Sequence, residues 1–169
     1  MLTRLRKLIA NENQLRFLPE NIGGLVSLEY IDLGQNLLQV LPESFCQLVA
    51  LKVCLLSKNH LEQLPEDFGK LTQLEDFRAD NNLIKELPKS FCQLVNLKTF
   101  DLFNNKLKEI PRVLEYFTKL TRLDIDMNDF NINCEADIPQ IVHVPEYPER
   151  DPGSEEQLAR KRQTGLGEN

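Results

Sequence analysis

An internal repeat of 23 residues constrains the fold of this chain more than any other feature. An asparagine and a Leu-Pro or Ile-Pro dipeptide both return at this step, and no insertion breaks the period. The asparagines are Asn13, Asn36, Asn59, Asn82, Asn105 and Asn128, and the dipeptides begin at Leu18, Leu41, Leu64, Leu87 and Ile110. A fixed period of this length is typical of a stack of identical supersecondary units.

Each unit contains two apolar patterns. The alternation in Ile31-Asp32-Leu33 predicts a short strand with one buried face, and the later apolar residues, spaced three or four apart, predict a helical or 3-10 return segment. One unit cannot bury its apolar columns alone, so neighbouring units must stack. We therefore predict an α/β solenoid with a parallel β-sheet on one face and short helical or 3-10 returns on the other.

The repeat also divides the chain. Five full repeats span 5–119, a partial sixth repeat and cap span 120–134, and together with the N-terminus they form a domain over 1–134. The segment 135–169 is rich in proline and charge and is expected to be a largely extended or disordered tail. Because Leu2-Thr3-Arg4-Leu5 matches the end of a repeat unit, we expect the chain to be a fragment or isoform of a longer array.

The segment from Leu51 to Pro65 resembles the pattern LxxLxLxxNxLxxLP of the leucine-rich repeat family. The uniform 23-residue unit is most similar to the intracellular Leu-Pro subgroup, which includes the Ras-scaffold, Ras-suppressor, Scribble and Erbin proteins. This resemblance implies a horseshoe arc with the sheet on the concave face and the returns on the convex face. It also implies adaptor or scaffold work in signalling, and a Ras-family or phosphatase pathway follows from the resemblance alone.

Composition disfavours several other classes of protein. The net charge is −6 with no clustered basic face, so nucleic acid is not expected as a partner. No apolar run approaches the roughly 18 residues of a membrane span, and the first residues alternate charge with leucine, which favours a cytoplasmic location. The four cysteines are widely spaced and His60 and His143 lack neighbouring ligands, so no metal or cofactor is expected. The chain is expected to be a monomer.

The strand pattern also nominates a binding face. In a unit whose fourth and sixth positions are buried, the third, fifth, seventh and eighth positions point to the concave surface or its rim. Among these, Tyr30, Val53 and Leu55 predict an apolar contact patch, whose alternative is ordinary scattered surface hydrophobicity. The predicted protein-binding set is Tyr30, Asp32, Val53, Leu55, Asp76, Arg78, Asp80, Asp101, Phe103, Asp124 and Asp126.

Five aspartates of that set, at positions 76, 80, 101, 124 and 126, predict an exposed acidic field that favours a basic segment of a partner protein. The alternative is a solvated charged face in which Arg78 and Arg122 serve as counter-ions. Paired carboxylates also serve in acid/base catalysis, but these lie in regular repeat columns, and we do not expect an enzyme.

The sequence therefore predicts an intracellular adaptor or scaffold that binds protein. A second interpretation is a substrate-targeting or regulatory array that belongs to a larger kinase, phosphatase complex or ubiquitin ligase. A third, an extracellular recognition module, would need a signal peptide and the cysteine-rich caps of extracellular relatives, which this sequence lacks.

Overall fold

The computed structural model describes residues 2–130, which form a single parallel sheet of six short strands in sequential order. The strands are β1 (Lys7–Ile9), β2 (Tyr30–Asp32), β3 (Val53–Leu55), β4 (Asp76–Arg78), β5 (Thr99–Asp101) and β6 (Arg122–Asp124). The predicted solenoid, with its sheet on the concave face and its returns on the convex face, is confirmed. The predicted cap at 131–134, the tail at 135–169, Cys134 and His143 lie outside the described residues.

The return segments are 3-10 helices of three to five residues. They span Ile22–Gly24, Glu43–Gln47, Phe68–Lys70, Lys89–Gln93 and Arg112–Tyr116. The repeated proline sets where three of them begin: Pro42, for example, has φ −68° and lies immediately before Glu43. Proline fixes φ and donates no hydrogen bond, so it suits the position before a helix.

The core lies between the sheet and the returns and is filled with leucines and phenylalanines. Phe68 stacks on Phe45 and Phe91 with ring centroids 6.1 and 5.1 Å away, and its ring meets Phe77 edge-on at 5.2 Å. Aromatic pairs in these arrangements add stabilisation beyond their buried area. The column of rings therefore joins successive units through the middle of the solenoid.

From Asn36 to Asn105 the repeated asparagines form a buried ladder. The side chain of Asn59 accepts a hydrogen bond from the backbone N–H of Leu38 at 3.0 Å and donates to the carbonyls of Leu33 and Leu56 at 2.9 and 3.0 Å. Asn82 repeats the same contacts one unit later. Each asparagine thus satisfies backbone groups of its own unit and of the preceding one, which ties neighbouring units together.

Two features of the turns escape the sequence pattern. One residue per unit, immediately before the ladder asparagine, adopts left-handed backbone, as in Lys58 with φ 56°. Glycine is not used there, although it suits this conformation. Glycine is instead required where returns touch: a Cβ on Gly69 would lie 1.9 Å from the carbonyl oxygen of Ser90, so the two return segments approach as closely as their backbones allow.

Candidate protein-binding face on the parallel sheet

The strand register builds two outward columns of side chains on the sheet. The central residue of β2 to β6, such as Ile31 or Phe77, is buried and that of β1, Leu8, is partly buried, so the residues before and after it face away from the core. One column contains Lys7, Tyr30, Val53, Asp76, Thr99 and Arg122, and the other contains Ile9, Asp32, Leu55, Arg78, Asp101 and Asp124. Within each column, the predicted binding residues that lie in adjacent strands are therefore neighbours.

The first three strands carry an apolar patch, which we define as Ile9, Tyr30, Val53 and Leu55. Tyr30, Val53 and Leu55 are partly buried, whereas Ile9 is 56% exposed. The ammonium of Lys7 lies 4.5 Å from the centroid of the Tyr30 ring. The residue set predicted from the sequence omits Lys7 and Ile9. Their positions in the two outward columns, which follow from the 23-residue period, would have identified them.

Tyr30 also lies near two carboxylates. Its partial burial raises the pKa of its hydroxyl, and the negative charges of Asp32 and Asp76 raise it further. The carboxylate of Asp32 accepts a hydrogen bond from the backbone N–H of Gly34 at 3.0 Å. The apolar patch is therefore bordered by negative charge on the same surface.

The middle of the sheet is a network of paired polar groups. Arg78 donates two hydrogen bonds to Asp76, at 3.0 and 2.9 Å, and these bonds raise the pKa of the guanidinium. The carboxylate of Asp80 accepts hydrogen bonds from the hydroxyl of Ser57 and from the amide of Asn81, the latter at 2.7 Å. The alternative in which Arg78 serves as an internal counter-ion therefore holds for Asp76.

The last two strands differ from the exposed acidic field expected from the sequence. Asp101 and Asp124 are only 6% and 1% exposed. Their carboxylates accept the backbone N–H groups of Phe103 and Asp126, at 3.1 and 3.3 Å, and so close the turn that follows each strand. Arg122 lies 3.9 Å from Asp101. The expectation of five exposed aspartates was therefore wrong for these two, whose carboxylates are buried and accept hydrogen bonds from the turn that follows each strand.

One rim of the sheet carries alternating charges that sequence reasoning missed. Arg6 and Lys52 both pair with Glu29, at 3.6 and 2.8 Å, and Lys98 pairs with Glu75 at 2.6 Å. Hydrogen bonds from the lysines lower the pKa values of Glu29 and Glu75. Opposite charges spaced 23 residues apart were the available signal. This rim is therefore compensated internally.

The described residues contain no obvious chemical centre. Within 2–130, no three or more His, Cys, Asp or Glu side chains are grouped so that they would hold a metal ion. None of the helices in that range has the length and apolarity to cross a membrane. Cys46, Cys54 and Cys92 are free thiols. Burial raises the pKa of Cys46 to about 12 and also raises that of Cys54, as expected of thiols that serve in packing.

Comparisons with known proteins agree with this architecture. Family models described as leucine-rich repeat match residues 3–61 and 96–117. With the six-stranded parallel sheet and its asparagine ladder, these matches make the chain a leucine-rich-repeat solenoid. No curated protein matches the chain in a sequence search.

Solved structures extend the likeness. A leucine-rich repeat protein of Leptospira interrogans is 30% identical, with 94% of this chain and 36% of that chain covered and a TM-score of 0.74. The plant peptide hormone receptor RGFR1, solved in complex with RGF2, is 33% identical, with 76% and 22% covered and a TM-score of 0.71. The ectodomain of a membrane receptor kinase from Arabidopsis thaliana is 25% identical, with 76% and 19% covered and a TM-score of 0.65. The chain thus spans about a third or less of the length of these solved proteins.

Proposed function

We propose that this chain is a non-catalytic protein-binding module that serves as an intracellular adaptor or scaffold in signalling. The observation that carries the proposal is the register of the first strands, which places Tyr30, Val53 and Leu55 side by side on the outward face of the sheet. Leucine-rich repeats are generally protein-interaction modules, and a contiguous apolar surface with an aromatic residue is typical of contact sites.

Charge on the same face favours a partner with a basic segment. Together with a third column, formed by the residue two positions after the end of each strand, the two outward columns contain six aspartates and three basic side chains. Asp32 is the register partner of Leu55 and Asp76 that of Val53, so both border the apolar patch. Asp80, Phe103 and Asp126 follow the strands and extend the same surface toward the end of the sheet. A negative face attracts a basic segment during encounter and sets its orientation.

The wider biological setting is a proposal from the sequence. The uniform Leu-Pro units, through their resemblance to intracellular repeats, support a cytoplasmic, monomeric protein with a domain over 1–134 and a tail over 135–169. A Ras-family or phosphatase pathway is supported by the resemblance of the repeat alone. Binding through the sheet needs no cofactor.

A second candidate is a targeting or regulatory array that belongs to a larger enzyme. Two observations favour it. The chain spans only 36% of the Leptospira interrogans protein and 19% of the Arabidopsis thaliana ectodomain, and that ectodomain belongs to a receptor kinase. Sequencing full-length transcripts separates the two proposals. A kinase, phosphatase-subunit or ubiquitin-ligase domain joined to these repeats would favour the second.

The test of the binding face is affinity capture from cell lysate with quantitative mass spectrometry. We would compare the intact chain with the double variant Tyr30→Ala, Leu55→Ser and with a deletion of 135–169. The control is Val49→Ala with Val95→Ala, which removes apolar side-chain atoms from two residues that are 51% and 46% exposed outside the sheet.

The expected result is a partner retained by the control variant and by the deletion but lost from the Tyr30, Leu55 variant. A partner retained by the Tyr30, Leu55 variant and lost from the control would move the site to the return side. A partner lost only with the deletion would make the tail the binding element and would contradict the proposal.

A further inference from the structure

We propose that Tyr30 and Asp32 form a receptor for one basic side chain of an extended partner segment, and that Lys7 is the internal occupant which that side chain displaces. The inference rests on the proposed function and names the chemistry that the sheet face recognises. Val53 and Leu55 would hold an apolar side chain of the same segment.

The contact between Lys7 and Tyr30 shows what the ring attracts. The two residues are register partners on β1 and β2, and the lysine ammonium lies 4.5 Å from the ring centroid. A cation at this distance over an aromatic face is held by the ring's quadrupole. Since Lys7 itself is exposed, its ammonium is fully hydrated once it leaves the ring, so another cation can take its place.

Asp32 supplies the second half of the receptor. It follows Tyr30 by two residues on the same outward face, about 6.6 Å further along the strand. Its negative charge adds to the rise that burial causes in the pKa of the Tyr30 hydroxyl. Elsewhere on and beside the sheet, Asp76 is held by Arg78 and Glu29 by Lys52. Among residues 2–130, no lysine or arginine lies within ion-pair distance of Asp32, so its carboxylate keeps acceptor capacity for an incoming cation.

The geometry favours arginine over lysine and fixes a spacing. A planar guanidinium stacks on an aromatic ring while donating hydrogen bonds to a carboxylate at its edge, which an ammonium cannot do as well. Neighbouring strands lie about 4.8 Å apart, and alternate residues of an extended segment lie about 6.6 Å apart on one side. A segment with the pattern apolar-x-arginine therefore places its apolar residue over Val53 and Leu55 when its arginine lies on Tyr30.

The test is an amide-shift titration of the isotope-labelled full chain at low ionic strength. The probe is the peptide acetyl-Leu-Ala-Arg-amide, and its control is the same peptide with citrulline, which keeps the shape but lacks the charge. We expect the arginine peptide to shift Tyr30, Asp32, Val53 and Leu55 and to bind at least about fivefold more tightly than the citrulline peptide.

Variants of the chain test the displacement. Lys7→Gln removes the internal occupant, so it is expected to tighten binding of the arginine peptide by about two- to fivefold. Lys108→Gln, which removes the same charge from an exposed residue outside the strands, is expected to leave the affinity unchanged. Tyr30→Phe should retain binding because the ring remains, and Tyr30→Leu should lose the preference for arginine over citrulline.

The contrary results separate this inference from the proposed function. Equal binding of both peptides at Tyr30, Val53 and Leu55 would overturn the arginine receptor and leave the sheet as a protein-binding face. Shifts confined to residues away from the sheet would overturn both. The inference would also be overturned if the arginine peptide gave no shifts up to its solubility limit, or if Lys7→Gln did not tighten binding.

Discussion

The two halves of the sheet have the same backbone arrangement but present different outward side chains. In the first three strands the outward residues include Ile9, Tyr30, Val53 and Leu55, whereas in the last three they are mainly aspartates and arginines bonded within the protein. The register and the parallel order continue unchanged through both halves. The repeat thus encodes the scaffold and leaves two outward positions per strand free to vary, so the binding properties of each half can change without changing the fold.

The largest effect is expected from breaking the scaffold that both halves share. Phe68→Ala removes a fully buried ring that contacts Phe45, Phe77 and Phe91, and it should lower the free energy of unfolding by about 3–5 kcal/mol. Denaturant unfolding followed by circular dichroism measures this. Tyr30→Ala, on the outward face, should cost much less, and comparable losses for the two variants would contradict the separation of scaffold from face.

The next effect sharpens the difference between the first unit and the interior ones. Asn82→Ala leaves buried backbone groups of two units without their partner and should cost about 1–3 kcal/mol. Asn13 occupies the same repeat position but is exposed and bonds only to carbonyls of its own unit. Asn13→Ala is therefore the matched control, with a smaller expected loss in the same unfolding measurement. Equal losses would mean that the ladder does not couple units.

A smaller effect concerns the charged rim, which runs beside both halves. The folded-state pKa values of Glu29 and Glu75 are lowered by their lysines, so the stability they contribute is present above the unfolded carboxyl pKa. That contribution is lost as the pH falls through the lowered folded values. Glu29→Gln and Glu75→Gln should each make the acid loss of stability shallower, measured as melting temperature against pH.

The control for the rim is Glu86→Gln, since Glu86 is exposed and no ion pair of it is found among the described residues. Its acid profile should follow that of the unmodified chain. An identical slope in all three glutamine variants would show that the rim pairs contribute nothing, as many exposed ion pairs do.

The smallest effect is expected in the alkylation rates of the three cysteine thiols. Cys54 is fully buried under the apolar patch and Cys46 is also buried, with its pKa raised to about 12, whereas Cys92 is only partly buried. Alkylation of the native protein near neutral pH, followed by peptide mass spectrometry, should modify Cys92 before Cys46 and Cys54. Faster reaction of Cys54 than of Cys92 would indicate that the first half opens more readily than its packing implies.

Most of the scaffold could be predicted from the sequence because the 23-residue period repeats the same residue types at the same structural positions five or six times. The strand columns, the short returns and the backbone role of Asn59 all follow from residue type and spacing. The left-handed backbone of Lys58 was not predictable in this way, because its column contains no glycine to signal it. A residue with positive φ can be recognised from the sequence only when a residue that favours this conformation, such as glycine, occupies the position.

The candidate site was less predictable because outward positions do not repeat. Tyr30, Val53 and Leu55 could be placed together once the register was inferred. The burial of Asp101 and Asp124 was not anticipated, since an aspartate after a strand is read equally well as a surface charge or as an acceptor for its own turn. Lys7 was likewise placed in a column without its contact to Tyr30, because that contact depends on side-chain geometry.

The central claim, that the apolar half of the sheet is the working surface, is tested most directly by site-specific photo-crosslinking in cells. A benzoylphenylalanine would be introduced as Tyr30→p-benzoylphenylalanine, and separately as Val95→p-benzoylphenylalanine on a residue 46% exposed outside the sheet. The account predicts a protein adduct from position 30 and none from position 95. An adduct from position 95 alone would contradict it and place the binding surface on the returns.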